Sequence, residues 1–388
     1  MAVETPTEIH SSSPQSTVGR ICSRCIMDTS DPEIVFDENG VCNHCKQYDA
    51  RVANEVFPGE EGRRRLAQIV DKIKADGAGR EYDCVAGVSG GADSTTVVWA
   101  AKRLGLRPLA VHFDNGWNSE LAVANIRAVL ERLEIDLTTY VVDWEEFRDL
   151  QLSFLKASVA NSEVPTDHAI NAVLYRTAAA HGVKYILGGG NVTTEGILPS
   201  SWGWYNLDLR HIKSIHRRFG TARLKTFPTL SIPRLLYYVL VKRIRTIPML
   251  NYLDYNKSEM VRTLSTEFGW RDYGGKHYES VYTRFFQGYI LPRKFGFDKR
   301  RAHLSTRICA GQLSRKDALA EIARDPYADA SLNTDMEFVL KKFGLSASDM
   351  RGIMAEPVKS YRDYPSNRLF FERLKHFRQA FKRHATRV

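Results

Sequence analysis

The six residues Ser89-Gly90-Gly91-Ala92-Asp93-Ser94, entered from the apolar run Val85-Ala86-Gly87-Val88, carry the strongest chemical signal in this sequence. They read as a buried strand running into a glycine turn and then a helix that opens with Asp93-Ser94. Such a turn leaves backbone N–H groups unpaired at the positive end of a helix dipole, where an anion is stabilised. Gly90 and Gly91 keep side chains away, so a polyphosphate can approach the backbone closely. The longer glycine loop ending in Lys-Ser/Thr of the Walker A pattern is absent. Four cysteines form a second set, Cys22-x-x-Cys25 and Cys42-x-x-Cys45, with sixteen residues between the pairs. Two knuckles at that spacing offer four thiolates to a tetrahedral Zn²⁺, and four protein ligands leave no open position, so the ion would be structural. Disulfides are the alternative, set aside because no secretory signal is recognised. His44 lies between the ligands and would serve only in place of a cysteine. Cys84 and Cys309 read as packed core thiols.

The elements that must position these groups alternate in type. Gly62 to Lys74 has helical spacing, Tyr82–Val88 reads as a strand, and Ser94–Leu104 as a helix closed by Gly105. Pro108–Phe113 and Thr138–Val142 are further strands, with helices over Leu121–Leu133 and Trp144–Ser158. His168–Ala180 is helical, and Tyr185–Leu187 is a fourth strand running into Gly188-Gly189-Gly190-Asn191. This alternation predicts βαβ units, a doubly wound, mostly parallel α/β sheet. Ligands of such sheets bind beyond the carboxyl ends of the strands. That rule selects three loops: Ser89–Ser94, Asp114-Asn115-Gly116-Trp117 and Gly188–Gly196. Asp114 and Gly189 thereby join the candidate nucleotide-binding residues. Asn191, Thr193, Thr194 and Glu195 make the third loop the expected acceptor side. From about Leu230 the pattern turns helical and basic.

At 388 residues the chain holds a core domain plus one or two additions, and 43% hydrophobic with 26% charged residues is globular composition. Met1 to Arg20 reads as a disordered leader, and no run approaches the roughly 18–20 apolar residues of a spanning helix, so a cytoplasmic location is expected. The net charge of +10 admits a nucleic acid, an anionic membrane or a phosphate-rich substrate. Basic residues gather over Arg210–Arg245, Arg293–Arg307 and Arg368–Arg387. Leu235–Arg245 reads as an ordinary packed helix, with membrane contact as the alternative for a lipid-linked acceptor.

The glycine turn resembles the PP-loop of the ATP pyrophosphatases, which cleave ATP to AMP and pyrophosphate. Further segments resemble the N-acetyl sugar amidotransferase family (the WbpG/PseA type of surface-polysaccharide, O-antigen and flagellar-sugar biosynthesis). They are Cys22–Pro32, Gly40–Cys45, Pro165–His168, Gly189–Gly196, Leu250–Asn256, Gly274-Gly-Lys-His-Tyr-Glu-Ser280, Tyr289–Phe295 and Asp298–Ser305. The resemblance runs from about residue 20 to 320. It implies that ATP adenylates a sugar acetamido oxygen and that ammonia then displaces AMP, leaving an acetamidino group. The ammonia would come from a partner glutaminase and cyclase pair similar to that of histidine biosynthesis. ATP, Mg²⁺ and structural zinc are the implied cofactors, and a nucleotide-linked or lipid-linked sugar the acceptor.

Charge then assigns roles within that reaction. Ser89, Gly90, Gly91 and Ser94 cradle pyrophosphate, and Asp93 helps to hold Mg²⁺, a role compatible with helix capping. Lys276, and Arg300 or Arg301, neutralise the leaving pyrophosphate. Glu195 and Asn191 orient the amide or accept a proton from ammonia. His168, His277 and His303 are acid/base or substrate candidates, with structural roles as the alternative. The expected organisation is a leader over 1–20, a zinc ribbon over 21–60, the ATP-binding α/β domain over 61–230, a helical substrate region over 231–330 and a basic extension over 331–388. Two other functions fit the same features: a tRNA-modifying PP-loop enzyme (thiolation or lysine addition), and a non-catalytic zinc-ribbon protein that binds nucleic acid.

Overall fold

The computed structural model describes residues 19–327 and 329–373. The expected leader falls outside these residues except for Gly19 and Arg20, and so does the end of the basic tail. The described part of the sheet has five strands in the order β3-β2-β1-β4-β5: β1 (Cys84–Gly87), β2 (Pro108–Asp114), β3 (Leu137–Val141), β4 (Tyr185–Gly188) and β5 (Arg245–Pro248). Every neighbouring pair is parallel. Side chains alternate across the sheet. Val85, Leu109, Val111 and Ile186 pack into one core, and Cys84, Ala86, Ala110 and Leu187 into the other. Each fully buried Val or Leu among them contributes roughly 1.5–3 kcal/mol.

Helices α1 (Asn43–Glu55) and α2 (Gly59–Asp76) precede the sheet. The crossovers are α3 (Ala92–Arg103), α4 (Glu120–Leu133), and the pair α5 (Trp144–Lys156) and α6 (Val164–Ala180). Local chemistry sets their starts: the Ser119 side chain accepts from the Ala122 N–H to begin α4, and Asp143 accepts from Glu146 to begin α5. The chain winds outward from β1 through β2 to β3, then returns to place β4 on the other side of β1. The order therefore reverses at β1, and the crevice beside its carboxyl end is the position at which open α/β sheets bind ligands.

The region expected to be helical after residue 230 contributes the fifth strand. β5 pairs Arg245 with Tyr185 and Pro248 with Gly188. It escapes the sequence pattern because it is a four-residue edge strand ending in proline, a residue that only a sheet edge or strand end accommodates. The link from β4 holds α7 (Val192–Glu195), α8 (Leu209–Phe219) and α9 (Ile232–Leu236). Beyond β5 come α10 (Lys257–Phe268), α11 (Val281–Phe285), α12 (Arg300–Cys309) and α13 (Arg315–Ile322). The extension forms α14 (Asp329–Phe343) and α15 (Ala347–Ala355). It joins the larger core through Val339, Phe343, Met350 and Tyr364, all buried.

The four-cysteine region packs on α12 and α13. Arg301 donates to the Ile26 carbonyl at 2.8 Å and pairs with Asp28 at 3.2 Å. Arg315 donates to the Cys25 and Cys22 carbonyls, both at 3.0 Å.

Candidate active site at the carboxyl ends of the strands

The turn from β1 to α3 has the expected form. Gly90 has a φ of +86°, which favours glycine. A Cβ there would lie 2.9 Å from the Ala122 carbonyl oxygen. Trp270 Nε1–H and the Tyr273 hydroxyl both donate to the Gly90 carbonyl at 2.9 Å, which pins the loop from outside. No side chain among the described residues caps α3, so its first-turn N–H groups remain available for an anion. Ser89, Gly91, Asp93 and Ser94 line a cavity of about 200 Å³ with Gly189, Glu195, Lys257, Lys276, His277 and Glu279. A Cβ on Gly189 would sit 3.2 Å from the Ser94 nitrogen, so glycine lets the loop after β4 close against the turn.

Charges of both signs face this cavity. The Lys276 ammonium lies 3.0 Å from Glu195 and 3.8 Å from Asp93, and it donates to the Thr194 carbonyl at 3.2 Å. Asp93 also accepts hydrogen bonds from the hydroxyls of Tyr255 and, at 3.3 Å, Thr194. Its carboxylate at the mouth of the anion site fits a role as an oxygen ligand to a phosphate-bridging cation. Burial lowers the Lys257 ammonium from its ordinary value, with Asp93 opposing. Burial alone would raise the Glu279 carboxyl, but His277 and the Ser89 hydroxyl outweigh it and hold it below the usual range. His277 has a φ of +65°, a strained conformation for a side-chain-bearing residue; it lies in the Gly274-Gly-Lys-His turn that carries Lys276 to the cavity.

A second cavity of about 450 Å³ shares Ser89, Ser94, Gly189, His277 and Glu279 with the first and extends beneath α6. Glu163, Asp167 and Lys299 line it. Burial first, and then neighbouring Glu163, push the Asp167 carboxyl up to about 7. A larger groove of about 640 Å³ runs between α4 and β3, with Val123, Ile126 and Leu130 in its wall. It contains none of the glycine turn, so the chemistry belongs to the two smaller cavities.

The structure brings Ser89, Gly91, Asp93, Ser94, Gly189, Glu195, Lys276 and His277 together, with Gly90 shaping the turn. Six other expectations are corrected. Arg300 pairs with Asp298 at 2.7 Å and donates to the Arg324 carbonyl at 2.8 Å, so it ties the start of α12 to the end of α13; Arg301 is bound to the cysteine region. It is Lys299 from the same basic run that reaches a cavity. Asn191 caps α7: its side-chain oxygen accepts from the Thr194 N–H at 2.9 Å and its amide donates to the Gly189 carbonyl. His168 is fully buried, its ring bound between the Asn206 carbonyl and the Leu230 N–H. Burial lowers it to about 4, and its neighbour Asp167 takes the cavity position. Asp114 accepts from the Gly116 N–H at 2.9 Å and lines the α4–β3 groove, leaving Asn115 and Asn118 on the second cavity. His303 lies behind His277, with both ring nitrogens buried and without a hydrogen-bond partner among the described residues. Burial first, and then Lys276 and His277, push it well below its usual range, so it stays neutral.

Lys257, Glu279, Tyr273, Glu163, Asp167 and Lys299 were missed as site residues. Several stand inside or beside the motifs of the family resemblance, and that adjacency is the signal the sequence offers for them.

The cysteine cluster fits a metal ion. Its sulfurs are 3.9 Å (Cys22–Cys45), 3.7 Å (Cys25–Cys42) and 3.7 Å (Cys42–Cys45) apart, and all four residues are fully buried. Four sulfurs at about 2.3 Å from a tetrahedral ion lie about 3.8 Å from one another. Backbone N–H groups of Cys25 and Cys42 point at the Cys22 sulfur, as suits a thiolate. His44 instead bonds Asp31 at 2.6 Å. Cys84 is a core thiol as expected, whereas Cys309 ends 3.7 Å from the Cys45 sulfur.

The model of the family described as "LPS biosynthesis protein WbpG-like, C-terminal domain" matches residues 279–378. That of "Queuosine biosynthesis protein QueC" matches residues 83–178. The first match continues past residue 320, where the motif resemblance had stopped, and takes in α14 and α15. No curated protein matches by sequence. Similar solved structures include an NH3-dependent NAD synthetase from Campylobacter jejuni (15% identity, 54% of this chain and 85% of that one, TM-score 0.28). Another is the U34-tRNA thiolase NcsA from Methanococcus maripaludis with its [4Fe-4S] cluster (12% identity, 83% and 89%, TM-score 0.32). The two sequence matches, each over about a quarter of the chain, support, together with the glycine turn at the strand-order reversal, a WbpG-like protein of the PP-loop superfamily.

Proposed function

We propose that the protein is an AMP-forming, ATP-dependent amidotransferase that converts a sugar acetamido group to an acetamidino group in surface-polysaccharide or O-antigen biosynthesis. The observation that carries this reading is the joining of a PP-loop to a WbpG-like segment whose first residue, Glu279, hydrogen-bonds Ser89 of that loop at 3.3 Å. An amide is a poor electrophile, and its oxygen leaves poorly. In the first step the amide oxygen attacks the α-phosphorus of ATP, the bond to the β-phosphate oxygen breaks, and pyrophosphate departs. The first-turn N–H groups of α3, the Ser89 and Ser94 hydroxyls, Lys257 and Lys276 suit the growing charge on that leaving group. In the second step ammonia attacks the imidate carbon and AMP leaves. Asp167, beside Glu163 in the second cavity, suits acceptance of the proton that ammonia loses.

Mg²⁺ would screen the phosphates, with Asp93 as the residue to hold it, and Zn²⁺ in the cysteine cluster would fix the packing of α12. Ammonia would come from a partner glutaminase. The test is incubation with ATP, Mg²⁺, ammonium and N-acetyl sugars on nucleotide or lipid carriers. AMP and pyrophosphate in equal amounts, with an acceptor in which NH replaces O, support the reading. ADP with inorganic phosphate overturns it. AMP release that requires tRNA instead selects the tRNA-modifying alternative.

A further inference from the structure

The segment between α9 and β5 has an unusual surface. Leu236, Tyr237, Val239, Leu240 and Val241, five of the six consecutive positions 236–241, are 40–68% exposed. Only Tyr238 and Ile244 are buried between Pro233 and Thr246. Soluble proteins rarely leave such a contiguous apolar patch uncovered unless it binds something. Arg234, Lys242, Arg243 and Arg245 flank the patch and are all exposed, and Ser231–Thr246 contains no acidic residue. The expectation of an ordinary packed helix therefore holds only in part: Tyr238 and, partly, Leu235 reach the core, while Leu236, Tyr237, Val239, Leu240 and Val241 stay uncovered among the described residues.

We infer that this ridge docks the protein on an anionic lipid bilayer. Large aliphatic and tyrosine side chains in the acyl boundary, with arginine and lysine at the headgroups, are the combination that an interfacial segment requires. Charge complementarity selects the partner, since a negatively charged leaflet attracts such a cluster. The ridge does not span the bilayer: no helix among the described residues is long and apolar enough to do so. Tyr238 at its base stacks on Tyr175, with ring centroids 5.8 Å apart, and Tyr175 and Thr246 line the second cavity. Docking therefore lays one wall of that cavity along the bilayer. This inference is independent of the sugar reading, because vesicle binding is measured without nucleotide or acceptor.

The experiment is co-sedimentation of the full chain with vesicles of phosphatidylcholine alone, or with about 30% phosphatidylglycerol to supply the negative surface. Binding to the anionic vesicles, weakened by salt, is expected. Lys242→Gln with Arg243→Gln should lower it about 25-fold, at about fivefold per lost charge. Leu240→Glu with Val241→Glu should abolish it. All four side chains are exposed, so thermal melts should match the parent. Absence of binding to anionic vesicles overturns the inference, as does binding that both pairs of substitutions leave unchanged. Self-association that Leu240→Glu with Val241→Glu dissolves, without vesicle binding, overturns it in favour of a second copy of the chain.

Discussion

Replacing Asp167 by asparagine separates the electrostatics of the second cavity from its shape. Burial and Glu163 raise the carboxyl from 3.8 to about 7, while Lys299 and His277 pull it back. A carboxyl whose folded value is raised binds its proton more tightly in the folded state. Its stabilising contribution is thus present below about pH 4 and is lost as pH rises through 7. A gap of about three units corresponds to at most about 4 kcal/mol. The side chain is enclosed by protein but borders a cavity open to water, so screening reduces this to roughly 1–2 kcal/mol. Asparagine keeps the shape without the ionisation. The variant should match the parent near pH 4 and be more stable by roughly 1–2 kcal/mol at pH 8, read by urea unfolding across that range. A difference that stays flat, or one that favours the parent increasingly with pH, would refute the reasoning. If Asp167 also accepts the ammonia proton, the variant loses about 10²-fold or more in amidination rate. The acid limb of the rate profile near pH 7 should vanish with it.

Lys276→Ala should lower AMP formation about 10²–10³-fold with little change in melting temperature, and an unaffected rate would remove Lys276 from pyrophosphate stabilisation. Arg300→Ala should reverse that pattern: thermal stability falls by roughly 1–3 kcal/mol as the partners of a buried-side hydrogen-bond set are lost, while the KM for ATP stays as in the parent. Cys22→Ser should lose the bound metal and expose the face of α12, measured by metal content and by proteolysis between residues 19 and 60; full metal retention would contradict four-thiolate ligation. His168→Ala should lower stability across the whole pH range without a specific effect on KM, because the ring bridges Asn206 and Leu230, and a selective KM effect would restore it to the site.

Sequence by itself determined the glycine turn, the paired cysteines and four of the five strands. Each is encoded within a few residues: a turn that requires glycine, a knuckle spacing, an apolar run that can only be buried (β1, β2 and β4), or, for the largely exposed β3, a run of β-branched and aromatic residues. Lys276 and Glu195 were also legible, because Lys276 stands in a glycine turn and Glu195 ends the short helix α7 just beyond β4. The tertiary structure alone decided between neighbours in one run. Lys299 reaches the cavity while Arg300 and Arg301 bind protein, since a helical step of about 100° turns adjacent side chains to different surroundings. Asp167 and His168 divide in the same way on α6. Arg245–Pro248 becomes a strand only because Tyr185–Gly188 offers an edge to pair with. The exposed ridge beside it was an apolar, basic pattern that no local rule distinguishes from a packed helix, and only its exposure among the described residues set it apart.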